Sequence, residues 1–183
     1  GLGPEHAGLW EKVFAYTDYD PDFVTGLTTG MGALASIDGS VLFGTMHVPA
    51  LSAVGHQLVA SILGYEVDLV ESFLHSFRAI SIFEGRNLGA ENQEIRLLYG
   101  EERLGALNLQ DILFGAQPEW SLQPNGLGTP ALHGPSGFGN PFLNYTWTMQ
   151  HWRGQVFVGT MDWSFLVDQI LGDLLGLPAL PFA

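Results

Sequence analysis

Apolar and polar positions alternate along two stretches of this chain, 32–45 and 147–160, and a turn signal interrupts each alternation at its centre. In the first, residues 32–37 and 40–45 flank Asp38-Gly39, a pair suited to a type I′ turn because both central residues take positive φ. In the second, 147–152 and 155–160 flank Arg153-Gly154. Both predict β-hairpins, and the two are copies of each other. Gly39, Val41, Gly44, Thr45 and Met46 recur as Gly154, Val156, Gly159, Thr160 and Met161. Beyond each copy the apolar period changes from that of a strand to that of a helix. Leu51, Val54, Leu58, Val59, Ile62 and Leu63 follow the first, with Pro49 placed for a first helical turn. Trp163, Leu166, Val167, Ile170, Leu171, Leu174 and Leu175 follow the second, with Asp162 or Ser164 as N-cap and Gly176 and Pro178 as the stop. The repeated unit is therefore hairpin, Gly-Thr-Met, one connecting residue and helix.

Between the copies, 78–83 and 94–99 read as strands, and so does 8–16 near the start. Residues 104–114 fit either period, and the Gly- and Pro-rich stretch 117–141 reads as a long ordered loop. The expected organisation is a single domain over 1–183. Its internal repeats lie at about 30–70 and 143–183, around an intervening strand and loop region, 76–142.

The segment NYTWTMQHWRGQVFVGTMD, 144–162, resembles the blades of bacterial secreted and surface β-propellers, and SIDGSVLFGTMH, 36–47, resembles them more distantly. In those blades an inner strand ending in a phrase like Tyr-Val-Gly-Thr is followed by one carrying Leu-Trp-Arg. Gly8-Leu9-Trp10-Glu11 resembles the second strand, with glutamate where arginine is usual. The resemblance implies a mainly β fold of propeller-like β-hairpin repeats with two helical insertions, α+β overall. It also implies an extracellular or cell-surface location, with a periplasmic or membrane-peripheral one as the alternative. A blade needs about four strands and a ring at least four blades, more than two hairpins supply. The expectation is therefore a ring completed by other chains, or blades swollen by helices, with the Trp10 strand closing onto the C-terminal hairpin.

Composition narrows the function classes. Nineteen acids against six bases give a net charge of −13, which repels phosphate backbones and argues against a nucleic-acid partner. Lys12 is the sole lysine, and only 14% of residues are charged. So few bases suit either a protein of a secreted or saline setting or a subunit whose faces are covered by other protein chains in a homo- or hetero-oligomer; the positive mean hydropathy supports the second. There is no cysteine, so disulfides, thiolate catalysis and cysteine-ligated metals are excluded. The first residues lack the basic region of a signal peptide. Residues 48–65 carry no Asp, Glu, Lys or Arg and reach only the lower limit of a membrane span, and they contain His56, Gln57 and an early proline; they predict a buried or interfacial helix, through which a membrane surface is an alternative partner.

Candidate chemistry is sparse. Asp18, Asp20 and Asp22 alternate as oxygen donors do at the opening of a calcium loop, but Phe23 and Thr29 stand where an EF-hand has glycine and glutamate. The competing reading is a solvated acidic turn, and no cofactor other than calcium is suggested. His47 and Asp162 hold equivalent places past Gly-Thr-Met, where loops at strand ends form binding faces. With Trp163 they are the ligand-binding candidates, although Asp162 also suits a helix cap. Tyr145, Trp147, Trp152 and Trp163 have the composition of an aromatic sugar platform. Strict alternation sets Trp147 and Trp152 on opposite faces, which favours core packing. No His-x-His or His-Glu-x-x-His pattern occurs, and the Gly-rich run 134–141 matches neither a Walker loop nor a nucleophile elbow. The resulting expectation is a non-catalytic secreted or surface-associated structural or binding module within an oligomer or larger assembly. The alternatives are a propeller-type hydrolase with a strand-end loop site, and a peripheral subunit of a membrane complex.

Overall fold

The computed structural model describes residues 8–164. Its elements run α1 (Phe23–Thr28), β1 (Gly30–Ile37), β2 (Ser40–Met46), α2 (Pro49–Ile62), α3 (Leu69–Ser76), β3 (Ile82–Arg86), β4 (Glu94–Tyr99), β5 (Arg103–Leu107), α4 (Leu109–Leu113), β6 (Trp120–Pro124), β7 (Leu143–Trp152) and β8 (Gln155–Asp162). Both predicted hairpins form. Asp38 and Gly39 have φ of 48° and 79°, and Arg153 and Gly154 of 50° and 75°, the left-handed pairs that a two-residue turn requires.

All strand pairings are antiparallel. The main sheet has the order β4-β3-β2-β7-β8, with β1 also on β2, and β5 pairs β6 in a second, two-stranded sheet. The fold is mixed α+β, and among the described residues the sheet closes into neither a barrel nor a propeller. The reason lies at the end of β2. Its residues 40–44 pair with β3, but Met46 pairs with Tyr145 of β7, so the two hairpins share one sheet instead of radiating as separate blades. From there β7 crosses the first hairpin at two glycines. A Cβ on Gly32 would overlap the Thr146 carbonyl oxygen, and one on Gly44 would overlap the Thr146 methyl group. The Thr146 hydroxyl donates to the Thr45 carbonyl at 2.9 Å and locks the crossing.

Alternation along β2, β3 and β4 gives two apolar faces. On one, Phe43, Phe83 and Leu97 pack with Tyr19 and Leu104, and the Phe43 and Phe83 rings stack at 5.3 Å. On the other, Ile82 and Ala35 meet Met149 with Leu42, Leu98, Val156 and Val158, so the second hairpin lies over the first. The N-terminal stretch does not form the predicted strand. Residues 9–15 pair with no strand, and Phe14 instead packs its ring on Phe43 and Phe83. Trp10 therefore does not close onto the C-terminal hairpin. The ambiguous 104–114 stretch divides into most of β5 and then α4, and the expected loop 117–141 contains β6.

Of the two helical insertions, the first is α2, with Pro49 opening it as predicted. The second falls largely on residues 165–175, outside the described residues. Helices α1 and α3 were not expected. Each starts at an aspartate cap: Asp22 accepts from the Thr25 N–H at 2.7 Å and Asp68 from the Glu71 N–H at 2.8 Å. In α2 the inner face carries Ser52, Ala53, His56 and Ala60, while Leu51, Val54, Leu58 and Ile62 face solvent. This reverses the usual polarity of a surface helix.

Candidate functional site

The strand ends near α1, α2 and α3 enclose buried polar groups, and three of the six candidate residues, Asp20, Asp22 and His47, are among them. Asp22, the N-cap of α1, accepts from His56 Nε2 at 2.8 Å, the Thr25 N–H at 2.7 Å and the Leu107 N–H at 3.0 Å. His56 Nδ1 lies 2.8 Å from the Ser52 carbonyl. Both ring nitrogens thus lie against oxygen atoms, and the Asp22–His56 pair is sealed from solvent on both sides. Burial acts to raise the Asp22 carboxyl, but the His56 ring and the two N–H groups outweigh it and hold it below the ordinary aspartate value.

Asp20 receives Arg78 in a two-point grip, Nε to Oδ2 at 2.7 Å and Nη2 to Oδ1 at 3.1 Å. Burial pushes its carboxyl upward while the guanidinium pulls it down. Arg78 also donates to the carbonyls of His75 and Gly105, tying α3 to β5. Asp18 turns back to accept from the Ala15 N–H at 2.8 Å. The three aspartates therefore face three different partners. Among the described residues no group of three or more His, Asp or Glu converges as a metal site would require.

His47 and Asp162 flank the start of β7. The His47 N–H donates to the Asn144 carbonyl at 2.9 Å, and Asp162 pairs in register with Leu143. Their side chains part company. The His47 ring is 0% exposed, with Nδ1 at 3.1 Å from Thr29 Oγ1. Burial, and second the Arg78 charge, push it down to about 3, so it is neutral. The Asp162 carboxylate is exposed, accepting from Ser164 N–H at 2.7 Å and Asn140 Nδ2 at 2.9 Å. The backbone bond to Ser164, with the Asn140 contact, holds it below the ordinary aspartate value. The His47 ring is thus sealed inside while the Asp162 carboxylate is open to solvent.

Trp163 joins a different surface, the outer face of the second hairpin. Its ring stacks on Tyr145 at 5.5 Å, and Tyr145 meets Trp147 edge-on at 6.2 Å. Trp147 is 68% exposed and Trp152 54%. The expected burial of one of them fails because the strand is not regular. Thr146 pairs with Thr160 and Thr148 with Gly159, so Trp147 is an extra residue. This bulge reverses the parity beyond it and returns Trp152 to the same face as Trp147. Phe157 lies beside Trp152, whose other neighbour is the Arg153 guanidinium, 4.3 Å from the ring centroid. Sequence reasoning had the residues but no signal for the bulge.

No protein-family model, curated protein or solved structure matches this chain. The functional reading therefore rests on the geometry.

Proposed function

We propose that this chain is a non-catalytic, extracellular or surface-exposed module that assembles with other protein chains, first of all a second copy of itself, through its second hairpin. In this reading the one sheet that the two hairpin repeats share is continued between chains. The observation that carries this reading is the edge strand β8. It is the last strand in the order, and among the described residues nothing pairs with its outer edge. Residues 155–161 contain no charge and no proline, the devices that normally protect an open edge. An antiparallel edge is self-complementary about a twofold axis. The chain also has no acid from 120 to 161, so the general repulsion of a −13 protein is relieved at this face. Trp147, Trp152 and Phe157 supply the apolar contact area.

Light scattering after size exclusion tests this. The wild type is expected at a multiple of the monomer mass, and Phe157→Lys, which places a charge at the free edge, is expected to return it to monomer with its melting temperature kept. A wild-type monomer at about 100 µM, weaker than specific assembly requires, overturns the reading.

A second reading, membrane-surface docking, draws on the outward stripe Leu51, Val54, Leu58 and Ile62 of α2. The helix is about 21 Å long, and no described helix is long and apolar enough to cross a membrane. It carries no lysine or arginine to attract anionic lipid. Flotation with neutral phosphatidylcholine vesicles, abolished by Leu58→Glu, would favour it over assembly. The hydrolase alternative lacks such support, since His47 and Asp162 face different environments.

A further inference from the structure

A cleft of about 460 Å³ opens between the tips of the two hairpins, on the inner face of the start of β8 rather than at its outer edge, and apart from the buried cluster. Its floor is aliphatic: Leu42, Leu98 and Val156. Ile37 and Asp38 form one wall, Gly154 another, and Leu132 and His133 the rim. Across the floor runs a fixed polar fork. Glu84, only 9% exposed, accepts from Ser40 Oγ at 2.7 Å, Arg86 Nε at 2.9 Å and Arg86 Nη2 at 2.8 Å on Oε1. Its Oε2 receives only Arg96 Nη1, at 3.3 Å. Burial works against this carboxylate, but Ser40 and the two arginines hold it below the ordinary glutamate value, so it is ionised.

The fork has unused capacity. An ionised carboxylate oxygen takes about two hydrogen bonds, and Oε2 has one long one. Among the described residues Arg86 Nη1 and Arg96 Nη2 donate to no acceptor. Arg96 Nε is held outside the cleft by Glu94 at 2.7 Å. The cleft thus presents an acceptor flanked by two donors over an apolar floor.

Charge restricts what fits. Two acids, Asp38 and Glu84, face two guanidiniums, Arg86 and Arg96. A simple anion meets the carboxylates, and a simple cation meets the arginines. A wholly apolar ligand leaves the fork's donors and acceptor unpaired, at a cost. A neutral polyol satisfies every group: adjacent hydroxyls each accept from an arginine while one donates to Glu84, and the C–H face of a pyranose ring lies on Leu42, Leu98 and Val156. The volume is within the ordinary range of small-ligand sites. We propose that this cleft binds a neutral sugar, independently of assembly through β8.

The fork also explains a sequence pattern with no assigned role. Glu84 and Arg86, and Glu94 and Arg96, each stand two apart and so share a strand face. Only the pairing of β3 with β4, Glu84 opposite Arg96, brings them together.

The test uses the full chain with D-glucose, D-galactose and D-mannose, each beside its uronate, by calorimetry and by methyl NMR. One neutral hexose is expected to bind with a dissociation constant on the order of 1 mM, shifting the methyl signals of Leu42, Leu98 and Val156. Arg86→Gln and Arg96→Gln, both partly exposed and so compatible with folding, are each expected to weaken it about tenfold or more. Lys12→Gln, outside the cleft, is expected to leave it unchanged. The proposal is overturned if no hexose binds at about 50 mM, or if the shifts fall elsewhere. It is equally overturned if both arginine variants bind as the wild type does, or if a uronate binds more tightly than its hexose.

Discussion

His47 makes this fold acid-sensitive by an amount that follows from its surroundings. An unfolded histidine titrates near 6.5, whereas burial and the Arg78 charge push the folded His47 ring down to about 3. The unfolded chain therefore takes up a proton that the folded chain refuses. The contribution of His47 to stability is complete above about pH 6.5 and is lost progressively as the pH falls toward 3. Linkage between those two values gives a loss of about 2 kcal/mol from pH 7 to pH 5, and about 3 kcal/mol from pH 7 to pH 4. Urea unfolding across this range, on the wild type and on His47→Gln, isolates the effect, because groups common to both cancel in the difference. The variant is expected to be less stable at pH 7 and to approach the wild type as the pH falls. An NMR titration should find the His47 ring still neutral at pH 5. A stability difference constant within about 0.5 kcal/mol from pH 7 to pH 5, against the 2 kcal/mol expected, refutes the reasoning.

Other perturbations have equally definite outcomes. Asp22→Asn leaves an amide facing three donors and unpairs the sealed His56, so it should cost about 3–5 kcal/mol and lower the melting temperature by about 10 °C; a loss under about 1 kcal/mol would show that the pair is not sealed. Because the folded Asp22 carboxyl is depressed, its stabilisation is present above the unfolded aspartate value near 3.9 and disappears as the pH falls below it, which wild-type acid unfolding compared with Asp22→Asn reports. Gly32→Ala drives a Cβ into a backbone carbonyl that cannot rotate away, and should destabilise by about 2 kcal/mol or more; full stability by urea unfolding would place β7 elsewhere. Trp147→Ala should cost under about 0.5 kcal/mol of monomer stability, measured at dilution. Trp120, packed edge-on to His56 and stacked on His75, should cost about 2 kcal/mol or more on truncation; the reverse ranking would contradict the bulge.

Much of the local structure was legible because it depends on nearest neighbours. Asp38-Gly39 and Arg153-Gly154 are turns in any context that brings two strands together, and the helical period after Met46 with Pro49 at its head gives α2. The short helices α1 and α3 escaped notice because each is under three turns. Of the caps that start them, Asp22 also fits an acidic turn or calcium loop, and Asp68 is a single acid with no pattern around it. Asp20 and Asp22 were visible as a pair of acids, but Arg78 and His56, their partners, lie 58 and 34 residues away.

Taken by itself, the sequence determined the two hairpins, their repetition, the first helix after them and the absence of thiol chemistry, since each follows from residue type and short-range spacing. Tertiary structure alone decided that the hairpins share one sheet, because β2 exchanges β3 for β7 at Met46. It also decided which aromatics face solvent. A side-chain period of two carries no memory of an inserted residue, and whether Trp147 is inserted depends on how β7 pairs with β8. The same holds for the polar groups. Whether an aspartate is solvated, sealed against a histidine or gripped by an arginine is set by which distant segment is packed against it, and burial then fixes its charge.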